Sequence, residues 1–371
     1  MNGHIVVLGG GVMGLSIAYQ MQKEGWRVTL VDRMMERRNA SWASAGVLLP
    51  SSPRRTLHPM DQLCALGTEI HRRWATELRE TTGIDNGLRF DGGLYVARSN
   101  GEAGALAGLE QHWLDEGIEF ESIPLDQVSL RFPVVAHPQL RRATWVPSEG
   151  QIRSPRHLHA LRSAICSQPG NSIYAGQAIG LVVDENRIRG VDVDGRRVEA
   201  DIVCVAAGAW TGELLKPLAL QLPTTPVRGQ MILYRLPSPV IKFVINEGPR
   251  YIVPRDDGHV LVGSTMEEVG FDDSTTQPAL VELRSFAETL LPSLAESPPI
   301  ASWAGLRPAS FDGLPYLGRL PGLDNGFVAT GLFRIGFQAS PAAALVIADL
   351  IANRPLSVDI SQFRPNRVFA V

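Results

Sequence analysis

The sequence predicts an α/β protein of two domains: a nucleotide-binding domain around a largely parallel sheet, and an α+β substrate domain with an antiparallel sheet. Three observations predict it. A complete β–α–β unit with a glycine-rich turn stands at the very start. A three-strand meander follows over residues 178–198. Residues 221–302 then change texture, to a strand-rich block with several prolines and one helix.

His4 to Leu8 (HIVVL) reads as a buried strand, Val12 to Glu24 has helical spacing, and Arg27 to Val31 is a second strand closed by Asp32. In Asp61 to Thr82, Leu63, Leu66, Ile70, Trp74 and Leu78 recur every three to four residues, and Gly83 stops the helix. Leu88 to Ala97 predicts two short strands around a tight turn, and Gly104 to Glu116 a modest helix. Ser154-Pro155 predicts a helix to about Ile165, with Ser154 as its N-cap. Asp194-Gly195 is a hairpin turn inside the meander. Ala200 to Ala206 is another buried strand, ending in Ala207-Gly208-Ala209-Trp210. A helix from about Ala279 to Leu291 belongs to the second domain. After Arg307-Pro308 the pattern returns to strand, glycine turn and helix, the last from Pro341 to Ile351. The nucleotide domain is thus expected to be discontinuous, over 1–82, 150–220 and 305–371, with the substrate domain over 83–149 and 221–304.

The chain has 371 residues, with 35 basic against 38 acidic side chains and a net charge of −3, which excludes a strongly basic nucleic-acid binder. Cys64, Cys166 and Cys204 form no C-x-x-C pair, and there is no H-E-x-x-H, so neither a disulfide framework nor a metal site is expected. No stretch approaches the ~18 apolar residues of a membrane span, and no signal-peptide pattern is present. A cytoplasmic protein follows, with a homo-oligomer left open.

Gly9-x-Gly11-x-x-Gly14 follows a strand, opens a helix, and has Asp32 about 20 positions on. Gly9 permits the tight turn, Gly11 lets backbone approach a pyrophosphate, and Gly14 lets helix and strand pack closely. The helix N-terminus supplies free N–H groups for phosphates, and Asp32 a ribose acceptor. The motif serves NAD and FAD alike. The remainder of the chain favours FAD: small residues at Ser41, Ser44, Ala45 and Gly46, the meander leading into Ala207-Gly208, and no further β–α–β units directly after Asp32. The nucleotide domain is therefore of the Rossmann type, in its glutathione-reductase-like form with a β-meander.

Seven segments in order carry a resemblance over nearly the whole chain: Val6 to Gly14, Ser44 to Gly46, Val227 to Gln230, Tyr251 to Arg255, Gly263 to Met266, Trp303 to Pro308, and Asp312 to Gly318. The sequence resembles the D-amino-acid oxidase family of flavoproteins, and within it the bacterial glycine oxidases of thiamine biosynthesis. The resemblance implies non-covalent FAD held also by Val12, Met13, Arg33, Ile179 and Trp210, with Arg334, Ile335 and Gly336 near the flavin. It implies that Arg307 binds a substrate carboxylate, that the Tyr251 hydroxyl helps, and that Arg334 stands at the mouth between flavin and substrate. The helix near Pro341 would aim its positive end at the flavin.

The residues of the substrate side also speak for themselves. An arginine at the edge of the apolar run Trp303 to Leu306 suits either bidentate carboxylate capture or an internal ion pair. Asp257-Gly258, taken as a two-residue hairpin turn, sets Asp256 opposite His259 and Tyr251 opposite Ser264. Tyr251 and Met266 then become diagonal neighbours in a small pocket. Leu332, Ile335, Val47 and Pro249 depart from the family pattern and make the pocket rim more apolar. The expected reaction is oxidation of glycine, sarcosine or a small D-amino acid by hydride transfer to FAD, giving a 2-oxo acid, ammonia and, with dioxygen, hydrogen peroxide. The alternatives are a dehydrogenase using another acceptor and a non-catalytic flavin-binding protein.

Overall fold

The computed structural model describes residues 2–33, 39–52, 58–135 and 139–369. A six-stranded sheet carries the nucleotide-binding half. Five strands run parallel in the order Gly326–Thr330, Ile202–Val205, His4–Leu8, Arg27–Asp32 and Ser172–Ala175, with Tyr316–Arg319 antiparallel at one edge. Alternation along His4–Leu8 decides the packing, because successive side chains leave opposite faces. Ile5 and Val7 join the core under the helices Val12–Lys23, Pro59–Thr82, Ser154–Cys166 and Gly336–Ile351. Val6 and Leu8 face the meander of Ala178–Asp184, Arg187–Val193 and Arg196–Glu199.

The second sheet has eight strands, in the order Ala301–Ser310, Thr224–Arg235, His259–Gly263, Arg250–Pro254, Val244–Glu247, Gly93–Ala97, Arg142–Val146 and Glu121–Ser122. One face buries Ile232, Ile245, Ile252 and Val262 against Phe286 and Leu290 of the helix Gln277–Leu290. The other face, with Met231, Val253 and Trp303, packs on Ala43 and Ala45 from the first half. The strand Ala301–Ser310 runs across the 304/305 boundary, so Arg307 belongs to the second sheet.

Several local expectations are corrected. Residues 88–97 contain one strand, Gly93–Ala97; Arg89 pairs instead with Gln151 in an isolated bridge, so long-range pairing replaces the hairpin. Ser154 is the first helical residue and Arg153 the N-cap, whose side chain ion-pairs with Asp257 rather than capping. The last helix begins at Gly336, and Pro341 lies inside it. The 255–259 hairpin holds three loop residues, since Arg255 N–H bonds the His259 carbonyl at 2.8 Å and Gly258 takes φ +82°. A third loop residue shifts the register by one, placing Tyr251 opposite Gly263 rather than Ser264. No helix among the described residues is long and apolar enough to cross a membrane.

Candidate active site

A cavity of about 740 Å³ runs between the two sheets. Its nucleotide end is built by the first turn. Gly9 has φ +116°, and a side chain there would collide with the Ala206 carbonyl. A side chain at Gly14 would overlap the Gly9 carbonyl, so helix and strand meet backbone to backbone, and Gly14 itself does not line the cavity. Gly9, Gly11, Val12, Met13 and Asp32 do.

The segment Ala40–Gly46 closes over this turn. Asn39 caps its short helix through Trp42 N–H at 2.9 Å, Ser41 Oγ accepts from Val12 N–H at 2.9 Å, and Ser44 Oγ from Gly46 N–H at 3.1 Å. The segment is tied down from the other half by Trp303 Nε1 on the Ala43 carbonyl (3.1 Å) and Arg255 on the Ala45 carbonyl (2.6 Å). Farther out, Arg33 lies 4.5 Å over the Trp210 ring, and Ile179, Ala207 and Gly208 complete that wall. At the opposite end Ile335, Gly336, Phe337 and Gln338 bring in the first turn of the last helix. A backbone-lined cradle with an acidic residue at one end and a helix N-terminus at the other fits a dinucleotide whose second ring accepts negative charge.

The substrate side centres on Arg307. Nη2 donates to Ser264 Oγ at 2.6 Å and Nη1 to the Thr265 carbonyl at 3.1 Å. Gly229, on the neighbouring strand, leaves the room that the guanidinium fills. Among the described residues no carboxylate lies within ion-pair distance of Arg307, which decides against the internal pair. Arg334, behind Phe333 at φ +44°, donates to the Pro249 carbonyl at 3.1 Å and likewise has no carboxylate partner there. Although the side chain is exposed at the rim, partial desolvation by the walls around it, first, and the Arg307 cation lower its pKa, while Tyr251 opposes the shift. Two cations held toward one cavity that repel each other describe an anion site.

Tyr251 lines the cavity with its hydroxyl 3.6 Å from Met231 Sδ, a weak acceptor. Met266 does not line it: the strand ends at Gly263, and three residues beyond that end Met266 is half exposed, with its sulfur 3.8 Å from Arg334. Met231 takes the expected place. The signal for it was the pairing of Thr224–Arg235 with His259–Gly263, which sets Met231 beside Gly263 and so beside Tyr251. Leu332, Ile335 and Val47 line the cavity as apolar walls; of Pro249, the carbonyl that holds Arg334 is the functional part.

A dinucleotide cradle joined to an anion pocket is the site of a flavin-dependent oxidoreductase. Residues 4–350 match the model of the FAD dependent oxidoreductase family, and the chain belongs to that family, with FAD as its cofactor. It is an enzyme of FAD-dependent amine and amino-acid oxidation, similar over its whole length to glycine oxidases. The glycine oxidase of Pseudomonas aeruginosa is 36% identical over 98% of this chain and 99% of its own. The crystal structure of glycine oxidase from Geobacillus kaustophilus superposes with TM-score 0.92 at 30% identity, covering 98% of both chains. That of iminodiacetate oxidase from Chelativorans sp. BNC1 gives 0.86 at 26% identity, over 97% of this chain and 98% of that one.

Proposed function

We propose that the chain oxidises a small amino acid, primary or N-substituted, to its imine, which water converts to a 2-oxo acid and the free amine. The observation that carries this is the Arg307 guanidinium, turned to the cavity on two neutral partners and lacking a carboxylate of its own. A substrate carboxylate completes it. The names of two relatives, glycine oxidase and iminodiacetate oxidase, describe substrates with a carboxylate one carbon from nitrogen, which supports the reading.

Bound FAD supplies the two-electron acceptor. The chain's own groups bind and orient. Arg307 and the Tyr251 hydroxyl fix the carboxylate, so the adjacent C–H and amine take a set direction, and orientation is the main catalytic contribution. Arg334 adds a second positive charge at the mouth. Leu332, Ile335 and Val47 keep water away, which favours the neutral amine whose lone pair must form the imine. In balance, the substrate loses one C–H and one N–H with two electrons. Dioxygen takes up two electrons and two protons to give hydrogen peroxide, and one water adds to the imine carbon as nitrogen leaves.

The FAD-loaded protein is mixed anaerobically with glycine, sarcosine and D-alanine, and the flavin absorbance followed. Bleaching by at least one, then recovery in air with one peroxide per amino acid consumed, is the expected result. Failure of every small amino acid to bleach the flavin defeats the reading; bleaching without peroxide in air replaces dioxygen by another acceptor.

A further inference from the structure

Beyond Tyr251 the cavity continues, and the strand register shows over what. Tyr251 pairs with Asn246 on Val244–Glu247, and Asn246 with Tyr95 on Gly93–Ala97. Directly opposed residues share a face of a sheet, about 5 Å apart. A phenol, an amide and a second phenol therefore stand in one row on the cavity side. Leu109, Trp113 and Ile118 wall this end, with Tyr95 edge-on to Trp113 at 4.9 Å between centroids.

Behind the row lies Glu149, fully buried. Asn246 Nδ2 donates to both of its carboxylate oxygens, at 3.1 Å each, and the Tyr95 phenol lies close enough to interact with it. Gly93 lacks a side chain where the carboxylate sits. Burial pushes the Glu149 carboxyl up to about 7, against the lowering by Asn246 and Tyr95; the Asn246 amide, donating to both oxygens, is placed for the ionised form. An anion there orients the amide: Nδ2 faces Glu149, because Oδ1 would meet like charge, and Oδ1 is left to the cavity. Past Tyr251, whose hydroxyl serves the carboxylate, Asn246 offers the cavity an acceptor, and Asp61 and Glu116 line the cavity with His112. Arg307 and Arg334 supply the opposite charge at the other end.

We propose that this end is a second substrate subsite, in which the Asn246 carbonyl, set by Glu149, accepts a hydrogen bond from a donor on the substrate's substituent, a primary ammonium above all. The proposal rests on Arg307 as the carboxylate anchor. It shifts the preferred substrate from glycine to an amino acid bearing a distal amine. Asn246 is the specificity-determining residue and Glu149 its positioning residue.

Unreactive ligands test it without turnover. The FAD-loaded protein is titrated with 4-aminobutanoate, 5-aminopentanoate and their methyl-terminated isosteres pentanoate and hexanoate, read by perturbation of the flavin spectrum. At least one amino ligand is expected to bind tenfold or more tightly than its isostere. Diaminobutyrate and ornithine, as racemates, should exceed norvaline and norleucine by a similar ratio in kcat/KM. In Asn246→Leu both ratios should fall to near unity. Glu149→Gln, which keeps size and hydrogen-bonding capacity but lets the amide turn over, should lower them several-fold and decides the matter where Asn246→Leu does not fold. Equal binding of amino ligand and isostere by the unaltered protein overturns the subsite, as do ratios that survive in the folded variants. Failure of the carboxylate anchor is distinct: no member of either pair then perturbs the flavin.

Discussion

His71 supplies the hydrogen bond that Pro341 withholds. In the helix Gly336–Ile351 the Phe337 carbonyl would accept from the N–H four residues on, but that residue is Pro341 and has none. His71 Nε2 stands 2.9 Å from the orphaned oxygen, with Ser340 Oγ at 3.1 Å. A carbonyl accepts, so the proton is on Nε2 and Nδ1 is bare; it is buried without a partner. The helix turn so fixed is the one that lines the cavity at the end away from Asp32.

Removing the imidazole leaves the buried Phe337 carbonyl with the Ser340 hydroxyl as its remaining side-chain donor. His71→Leu should cost about 1 kcal/mol at pH 8 in denaturant unfolding, the net worth of one hydrogen bond. In a Pro341→Ala background, where a backbone N–H is available again, the cost should shrink. Equal costs in the two backgrounds would break the link between the residues.

The same burial lowers the His71 pKa from 6.5 to about 4, and His157, 5.1 Å away ring to ring, is lowered too, by burial first and then by His71. Between those values the unfolded chain binds a proton that the folded chain refuses. Stability is therefore full above pH 6.5 and falls as the pH drops to about 4. The His71 share is on the order of 3 kcal/mol. His71→Leu should flatten the profile of Tm over this window; an unchanged slope would place the acid sensitivity elsewhere.

Arg307→Ala should raise KM for the amino acid roughly ten- to hundredfold, the loss of a charge-assisted hydrogen bond worth about 1.5–3 kcal/mol, while FAD stays bound. The retained flavin spectrum separates loss of substrate from loss of fold. Arg307→Lys should recover only part, since an ammonium keeps the charge but not the planar fork. An unaltered KM would remove Arg307 from the carboxylate site.

What could be read from sequence was what short spacing encodes. Gly9, Gly11, Gly14 and Asp32 lie within one β–α–β unit, and Asp194-Gly195 marks its own turn, with φ of +49° and +78°. Asp257-Gly258 looked the same but closes a three-residue loop, in which Gly258 alone needs the left-handed backbone. That single residue moved the partner of Tyr251 from Ser264 to Gly263, beside Met231. Pro341 looked like a first-turn residue because a proline deeper in a helix is costly; His71, far off in the chain, removes part of that cost. Arg307 was legible as a charge near apolar residues, but its lack of a carboxylate partner is a property of three-dimensional surroundings. Asn246 and Glu149 carried no signal, because their meaning arises only when two distant segments meet under one sheet.

Two glycine substitutions separate packing from ligand approach at the nucleotide end. At Gly14 a methyl group would overlap the Gly9 carbonyl oxygen, backbone that can yield only if helix and strand part. Gly14→Ala should therefore lower the Tm of the FAD-free protein as well as abolish FAD binding. At Gly11 the nearest atom to an added methyl is Ser41 Oγ at 3.1 Å, a side-chain hydroxyl that needs to give by only a small fraction of an ångström and can keep its bond from Val12 N–H. Gly11→Ala should keep the stability of the FAD-free protein within about 0.5 kcal/mol. Its FAD dissociation constant should rise by about tenfold or more, and the FAD-dependent gain in Tm should shrink accordingly. Flavin fluorescence titration and melting curves with and without FAD measure both. Tight FAD binding by Gly11→Ala would mean that the phosphates do not lie against this backbone, and the cradle would have to be redrawn around Ser41 and Ser44.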